Sequence, residues 1–437
     1  MSRQAKIQTA PADEPGGREL AVMEEPGFPV AAGSEKARPI PRISIQAFCE
    51  SSRTAEALQV AAEDRRLAKA HVSVHMGGVQ AAVAHYQESP TPNLIVLDSA
   101  LPRAELLGEI DRLAESCDSG TKVVVVGHTN DVVLYRELLK RGVSEYLIAP
   151  ISPIQFMESV SNLYNDPDAD PVGHVFAFIG AKGGVGSSTI CHNAGWAISE
   201  ILQTELVIAD MDLPFGTAGL DFDKDPVQGI AEAISSPERL DEVLLDRLLT
   251  KCSEKLSLFS APGTVDRDWD LAPDACEMVL DVVRQHIPHV VLDLPHAWNG
   301  WVRRMLLAAD EIVITAVPDL ANLRNAKNIV DHLKGARNND GPPHLVINMH
   351  NTPKRPEIPI KEFAQALDLN PIAVIEFDAE TFGEAANHGR MIEELNAKAK
   401  AVQPLRDIAL TLTKRPLPKV EKKSPLAPLL EKLKLKR

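Results

Sequence analysis

Phe178-Ile179-Gly180-Ala181-Lys182-Gly183-Gly184-Val185-Gly186-Ser187-Ser188-Thr189 is the stretch on which the reading of this chain turns. An apolar strand enters a glycine-rich turn and then a helix. Backbone N–H groups line such a turn, and the helix N-terminus adds positive potential, so the geometry suits a phosphate group. The common form of this loop places a lysine directly before the Ser/Thr that holds magnesium. Here that place is Ser187, and a different lysine, Lys182, stands five residues earlier.

Working outward, two further apolar strands end in acids. Val207-Ile208-Ala209-Asp210-Met211-Asp212 is followed closely by Gly216, and Val290-Val291-Leu292-Asp293-Leu294-Pro295 comes later. Ligands of open parallel sheets sit at the carboxyl ends of the strands. Asp293 is therefore placed to hold magnesium through water, and Asp212 to position a water for attack. Either acid alone reads equally well as a helix cap; the two together with the glycine loop form a set.

The same βα alternation organises most of the chain. Residues 1–41 are rich in Pro, Gly, Ala and Glu without periodicity and read as a disordered tail. Residues 42–164 form a first unit, with strands expected at Ile43–Phe48, Leu94–Leu97, Val123–Val126 and Glu145–Ile148. A polar, Pro-containing linker spans 165–173, and a second unit spans 174–413. Its expected strands are Val175–Ile179, Glu205–Ala209, Leu256–Phe259, His289–Leu292, Glu311–Val317, His344–Asn348 and Ala373–Glu376. Helices are expected at Thr54–Ala62, Val132–Lys140, Arg239–Thr250, Asp274–Gln285 and Ala321–Lys334. Strands alternating with helices at this spacing predict an α/β fold of two doubly wound parallel sheets.

Composition narrows the function. The 437 residues carry 46 Lys and Arg against 61 Asp and Glu, a formal charge of −15. That balance, with a pI near 5.4, argues against broad nucleic-acid binding. No apolar run is long enough to cross a membrane and no apolar signal core opens the chain, which predicts a cytoplasmic protein. Cys49, Cys117, Cys191, Cys252 and Cys276 are scattered, without metal-ligand spacing, and read as reduced thiols. Residues 414–437 hold nine Lys/Arg against two Glu, or +7, leaving −22 on the remainder.

Lys182-Gly183-Gly184-Val185-Gly186-Ser187-Ser188-Thr189 resembles the loop of the deviant-Walker ATPases, the ParA/MinD family, which reads Lys-Gly-Gly-x-Gly-Lys-[Ser/Thr]-Thr. The resemblance covers about 174–412 and implies ATP and Mg2+ as cofactors, and a face-to-face homodimer in which Lys182 reaches the partner's nucleotide. It implies that Gly183, Gly184, Val185, Gly186, Ser187, Ser188 and Thr189 cradle the nucleotide, that Ser188 binds magnesium and that Asp212 and Lys182 serve hydrolysis. Asp293 matches the second acidic strand, Thr315-Ala316-Val317-Pro318-Asp319 the fifth motif, and Asn348 the adenine-side asparagine. Ser187 departs from the pattern. Losing a charge-assisted phosphate contact, worth roughly 1.5–3 kcal/mol, predicts weaker ATP binding and slow hydrolysis, so the enzyme is expected to be a weak ATPase.

Residues 42–160 resemble a response-regulator receiver domain. Leu94-Ile95-Val96-Leu97-Asp98 matches the phosphoacceptor strand, with Asp98 as the degenerate acceptor position. Ala149 stands where receivers carry lysine before Pro150, Gly127 where they carry Ser/Thr, and Glu50 alone where they carry an acid pair. A phosphoryl site so depleted lacks charge stabilisation, so the unit reads as a docking module.

A degenerate receiver fused to a deviant-Walker ATPase is similar to the CpaE/TadZ family of tight-adherence (Flp) pilus assembly, over about 42–412. The resemblance implies a factor that marks a cell pole and recruits pilus secretion and assembly proteins. The tail adds a candidate membrane contact at the inner face of the inner membrane: Leu429, Leu430 and Leu433 on one helical face, with Lys432, Lys434, Lys436 and Arg437 beside them. A solvated basic tail is the plainer reading of the same residues. ParA-like DNA partitioning and MinD-like division-site selection are the competing functions.

Overall fold

The computed structural model describes Ile40 and residues 43–87, 89–118, 120–164, 172–266 and 268–416. The expectations for 1–39, for 165–171 and for the amphipathic segment beyond 416 lie outside the described residues, whereas Ile40, expected in the disordered tail, is buried in the first sheet's core and donates its N–H to the Arg66 carbonyl at 2.9 Å.

Five strands form the first sheet: β1 (Ser44–Cys49), β2 (His71–Met76), β3 (Leu94–Ser99), β4 (Lys122–Gly127) and β5 (Glu145–Ile148). Their order is β2-β1-β3-β4-β5, with every pair parallel. This is the flavodoxin-like winding, whose switch point lies between β1 and β3. Successive residues of β3 feed opposite cores, Leu94 and Val96 on one face and Ile95 and Leu97 on the other. A strand buried on both faces needs such an unbroken apolar run. The sequence expectation had no counterpart to β2. Its residues, His71-Val72-Ser73-Val74-His75-Met76, form an edge strand that is only half covered.

The second sheet has eight strands: β6 (His174–Gly180), β7 (Leu206–Asp210), β8 (Thr250–Lys251), β9 (Leu256–Phe259), β10 (His289–Asp293), β11 (Glu311–Ala316), β12 (His344–His350) and β13 (Pro371–Glu376). The order is β13-β12-β11-β6-β10-β7-β9-β8. All neighbours are parallel except the two-residue β8, an antiparallel edge beside β9. The helix expected over Arg239–Thr250 is shorter, Glu242–Leu248, because the Asp241 side chain caps it by accepting from the Leu244 N–H at 2.8 Å. The Thr250 end joins the sheet instead. Val175, Ala177 and Ile179 of β6 pack under the helices Pro273–His286, Gly300–Ala308 and Leu320–Ala336. Phe176 and Phe178 pack under Ser187–Leu202 and Val402–Leu412.

The two sheets meet at the N-terminal ends of the second sheet's strands. Arg65 donates to Asp340 at 2.9 Å, to Asp310 at 3.2 Å and to the Ala308 carbonyl at 3.2 Å. Arg66 pairs with Asp64 at 3.0 Å and also with Asp340, while Arg337 reaches Asp340 at 2.9 Å. Burial works against the Asp340 charge, but Arg65, Arg337 and Arg66 outweigh it and hold the carboxyl down at about 2. The glycine loop follows β6 at the opposite ends of these strands.

Candidate functional site

β6 and β10 are central strands in register, Asp293 lying beside Phe178. The glycine loop therefore leaves the sheet next to the acid-bearing ends of β10 and β7. Gly184 and Gly186 adopt φ of 78° and 81°, a left-handed backbone that lets the turn wrap inward. At Gly186 a Cβ would also meet the Asn348 amide nitrogen at 2.6 Å. That amide donates to the Val185 carbonyl at 2.8 Å, so Asn348 braces the loop from β12. Asn325 donates to the Ala181 carbonyl at 2.9 Å, and His296 Nδ1 lies 2.9 Å from the Gly180 carbonyl. The loop is thus held through three of its carbonyls and through the Ala181 N–H, which donates to the Thr315 carbonyl at 2.8 Å; the backbone N–H groups that line such a turn further on suit an anion.

The helix Ser187–Leu202 starts directly at the loop. Lys182, Gly183 and Gly184 are exposed, whereas Gly186, Ser187, Ser188 and Thr189 are half-buried and Val185 is buried. The Ser187 hydroxyl is shielded from solvent and finds no hydrogen-bond partner among the described residues. Burial works against the Asp319 charge, but hydrogen bonds from Asn322 outweigh it and, with the nearby charges of Lys182 and Arg355, hold the carboxyl below the usual range.

The acidic side has more members than the sequence suggested. Asp212 is half-buried; its carboxylate accepts from the Phe215 N–H at 3.3 Å, and burial raises its pKa. Asp210 is buried and accepts from the N–H groups of Asp212 and Ala218, each at 3.1 Å. Burial and the neighbouring Asp293 push its pKa up. Asp293 is buried too, and its Oδ1 has no hydrogen-bond partner among the described residues. His192, from the helix after the loop, lies 3.2 Å from Asp293 and 2.7 Å from Asp221. Burial would push this imidazole down, but the two carboxylates outweigh it and raise it to about 10. His192, Asp210 and Asp293 bring ring-nitrogen and carboxylate atoms within 4.8 Å of one another. The buried, unpartnered Asp293 Oδ1 in that group fits a divalent cation beside the loop.

The sequence pointed to Lys182, the glycine loop, Asp212, Asp293 and Asn348, and the structure gathers all of them at one end of the second sheet. It missed Asp210 as a site member, and His192 and Asp221 altogether. Asp210 carried a signal, an acid closing an apolar strand. A single histidine inside a helix carried none.

In the first sheet, Asp98 is fully buried and already occupied. Its carboxylate accepts from the N–H groups of Glu50 and Ser51 at 3.1 and 2.8 Å, and His128 Nε2 sits 3.0 Å away. Glu50 turns to the Ser99 hydroxyl and the Ala100 N–H. At Gly127 a Cβ would meet the Tyr146 hydroxyl at 2.0 Å, so the tyrosine fills the space of a larger side chain.

No protein-family model matches the chain. A pilus assembly protein CpaE from Caulobacter crescentus is 50% identical, over 30% of this chain and 98% of its own, with a TM-score of 0.29. A ParA family ATPase from Chlorobium tepidum shares the fold over 54% of this chain and 98% of its own, at 24% identity and a TM-score of 0.50. The septum site-determining protein MinD of Bacillus subtilis is 24% identical over 245 residues, 54% of this chain and 88% of that protein.

Proposed function

Because the chain belongs to the CpaE family of pilus assembly proteins, we propose that it is an ATP-binding factor that helps position and assemble pilus machinery, and that it works as an ATP-held dimer with slow hydrolysis. The observation that carries this reading is the braced glycine loop beside Asp293, with Lys182 exposed on it and Ser187 in place of the second lysine. The loop N–H groups and the Ser188 hydroxyl would hold the phosphates and the magnesium ion, with Asp210 and Asp293 on the metal side and Asp212 near the attacking water. Magnesium there would neutralise phosphate charge. Lys182 points to solvent, as a residue serving a second copy must. Phe215, Trp298 and Leu320 follow β7, β10 and β11 and are 70%, 48% and 73% exposed, an apolar rim suited to a face-to-face partner.

The missing ammonium group favours holding ATP over turning it over, which suits a positional marker. The occupied Asp98 favours a receiver-like unit that docks partners without being phosphorylated. Among the described residues no helix is long and apolar enough to cross a membrane, so membrane attachment would fall to the basic tail. The acidic balance disfavours DNA partitioning. The experiment is fluorescence localisation of the tagged protein, intact, as Lys182→Ala and without residues 425–437. Polar foci that disperse in Lys182→Ala are expected; diffuse signal for the intact protein would contradict the role.

A further inference from the structure

His192 faces two different elements with its two ring nitrogens. Nδ1 lies 2.7 Å from Asp221 Oδ2, at the end of the short helix Ala218–Asp221. Nε2 lies 3.2 Å from Asp293 Oδ2, at the end of β10. The ring and Asp293 are buried away from water, while Asp221 keeps part of its side chain in solvent. The same short helix is tied a second time to the acids, because the N–H of its first residue, Ala218, donates to Asp210. Thr217 adds its hydroxyl to Asp221 at 3.3 Å.

The consequence for Asp293 is directional. One carboxylate oxygen, Oδ2, lies 3.2 Å from His192 Nε2 as a charge contact without hydrogen-bond geometry, while Oδ1 is buried and has no hydrogen-bond partner among the described residues. A charge contact on one oxygen biases the direction in which the other is presented, and groups beside a metal-side carboxylate govern affinity for the metal. The segment 217–221 reports on that direction from the far side of the imidazole. It packs against the helix Ala379–His388, with Leu220 exposed beside it.

We infer that His192 is a positioning residue: it aims the Asp293 carboxylate at the magnesium side of the nucleotide and couples that aim to the segment 217–221 through Asp221. The inference rests on the magnesium–nucleotide reading above. A histidine serving the core alone would affect folding without affecting magnesium, and the two roles separate on that point.

The test measures ATP binding to the full-length chain with magnesium and with EDTA, and takes the ratio of the two dissociation constants. That ratio cancels general damage to the loop. His192→Ala and Asp221→Asn are each expected to reduce the ratio by roughly tenfold. The double variant should lose no more than the worse single one, because both act through one contact. Hydrogen exchange gives a second readout: magnesium-ATP should slow exchange over 217–224 in the unaltered protein and not in Asp221→Asn. Should His192→Ala fail to fold, Asp221→Asn, whose side chain is part-exposed, decides alone. A normal magnesium ratio in the variants, with a clear ratio in the unaltered protein, overturns this inference and spares the nucleotide reading. Absence of any magnesium effect in the unaltered protein overturns both.

Discussion

The side-chain amide of Asn348 donates to the carbonyl of Val185 across 2.8 Å, joining β12 to the floor of the glycine loop over 163 residues of sequence. Both partners are buried, so the bond is shielded from water. Replacing Asn348 with Ala strands the carbonyl. A buried polar group left unpaired costs about 1–3 kcal/mol. The variant is expected to melt lower and to bind ATP more weakly, since the loop loses its brace. Unchanged ATP affinity in calorimetric titration would show that the loop holds its shape without Asn348.

Ser187 leads to a gain-of-affinity prediction. Its hydroxyl begins the helix at the place of the missing lysine. Ser187→Lys restores a charge-assisted phosphate contact of roughly 1.5–3 kcal/mol, so ATP should bind tighter by about one to two decades. Single-turnover hydrolysis by the unaltered protein should fall well below about 10 per second, an ordinary enzyme rate. Rapid turnover, or an affinity that ignores the substitution, would place residue 187 away from the phosphates.

Acid should loosen the seam between the two sheets. The Asp340 carboxyl sits at about 2 in the folded protein because Arg65, Arg337 and Arg66 surround it despite its burial. An unperturbed aspartate titrates near about 3.9. The stabilisation is therefore fully present above about pH 4 and is lost as pH falls toward about 2. Asp340→Asn should cost about 3 kcal/mol at neutral pH, by leaving buried guanidinium groups short of a partner. Urea melts across pH 2–7 check it: the difference between the two proteins should vanish at the acid end, and a constant difference would assign the loss to packing.

Asp98 should refuse phosphate. Its two oxygens already face the Glu50 and Ser51 N–H groups and His128. Incubation with acetyl phosphate and magnesium should give no stable adduct by intact mass, and stoichiometric modification would restore a working receiver.

Much of this was legible in the sequence because the signals are local. The apolar run of β6 and the glycine spacing of 180–186 point to the loop, and apolar strands running into Asp210-Met211-Asp212 and into Asp293 point to its companions. Gly127, Ala149 and Glu50 were visible in the sequence as departures from the receiver pattern it resembles, and Tyr146 occupies the space that a larger side chain at Gly127 would need. What escaped depends on distance. His192 meets partners 29 and 101 residues away, and Arg65 meets Asp310 and Asp340 at separations of 245 and 275. Neither pairing leaves a pattern in a window of neighbouring residues. β2 escaped because an edge strand with polar residues lacks the apolar run of its buried neighbours.

The central claim is that ATP joins two copies through Lys182. Sedimentation or light scattering of the purified full-length chain tests it, with ATP and magnesium, with ADP, and without nucleotide. The account predicts a dimer mass in ATP and magnesium for the unaltered protein and a monomer mass for Lys182→Ala under the same conditions, although that variant should still bind ATP. A Lys182→Ala protein that dimerises on ATP as the unaltered chain does, or an unaltered chain that stays monomeric with ATP bound, would contradict it.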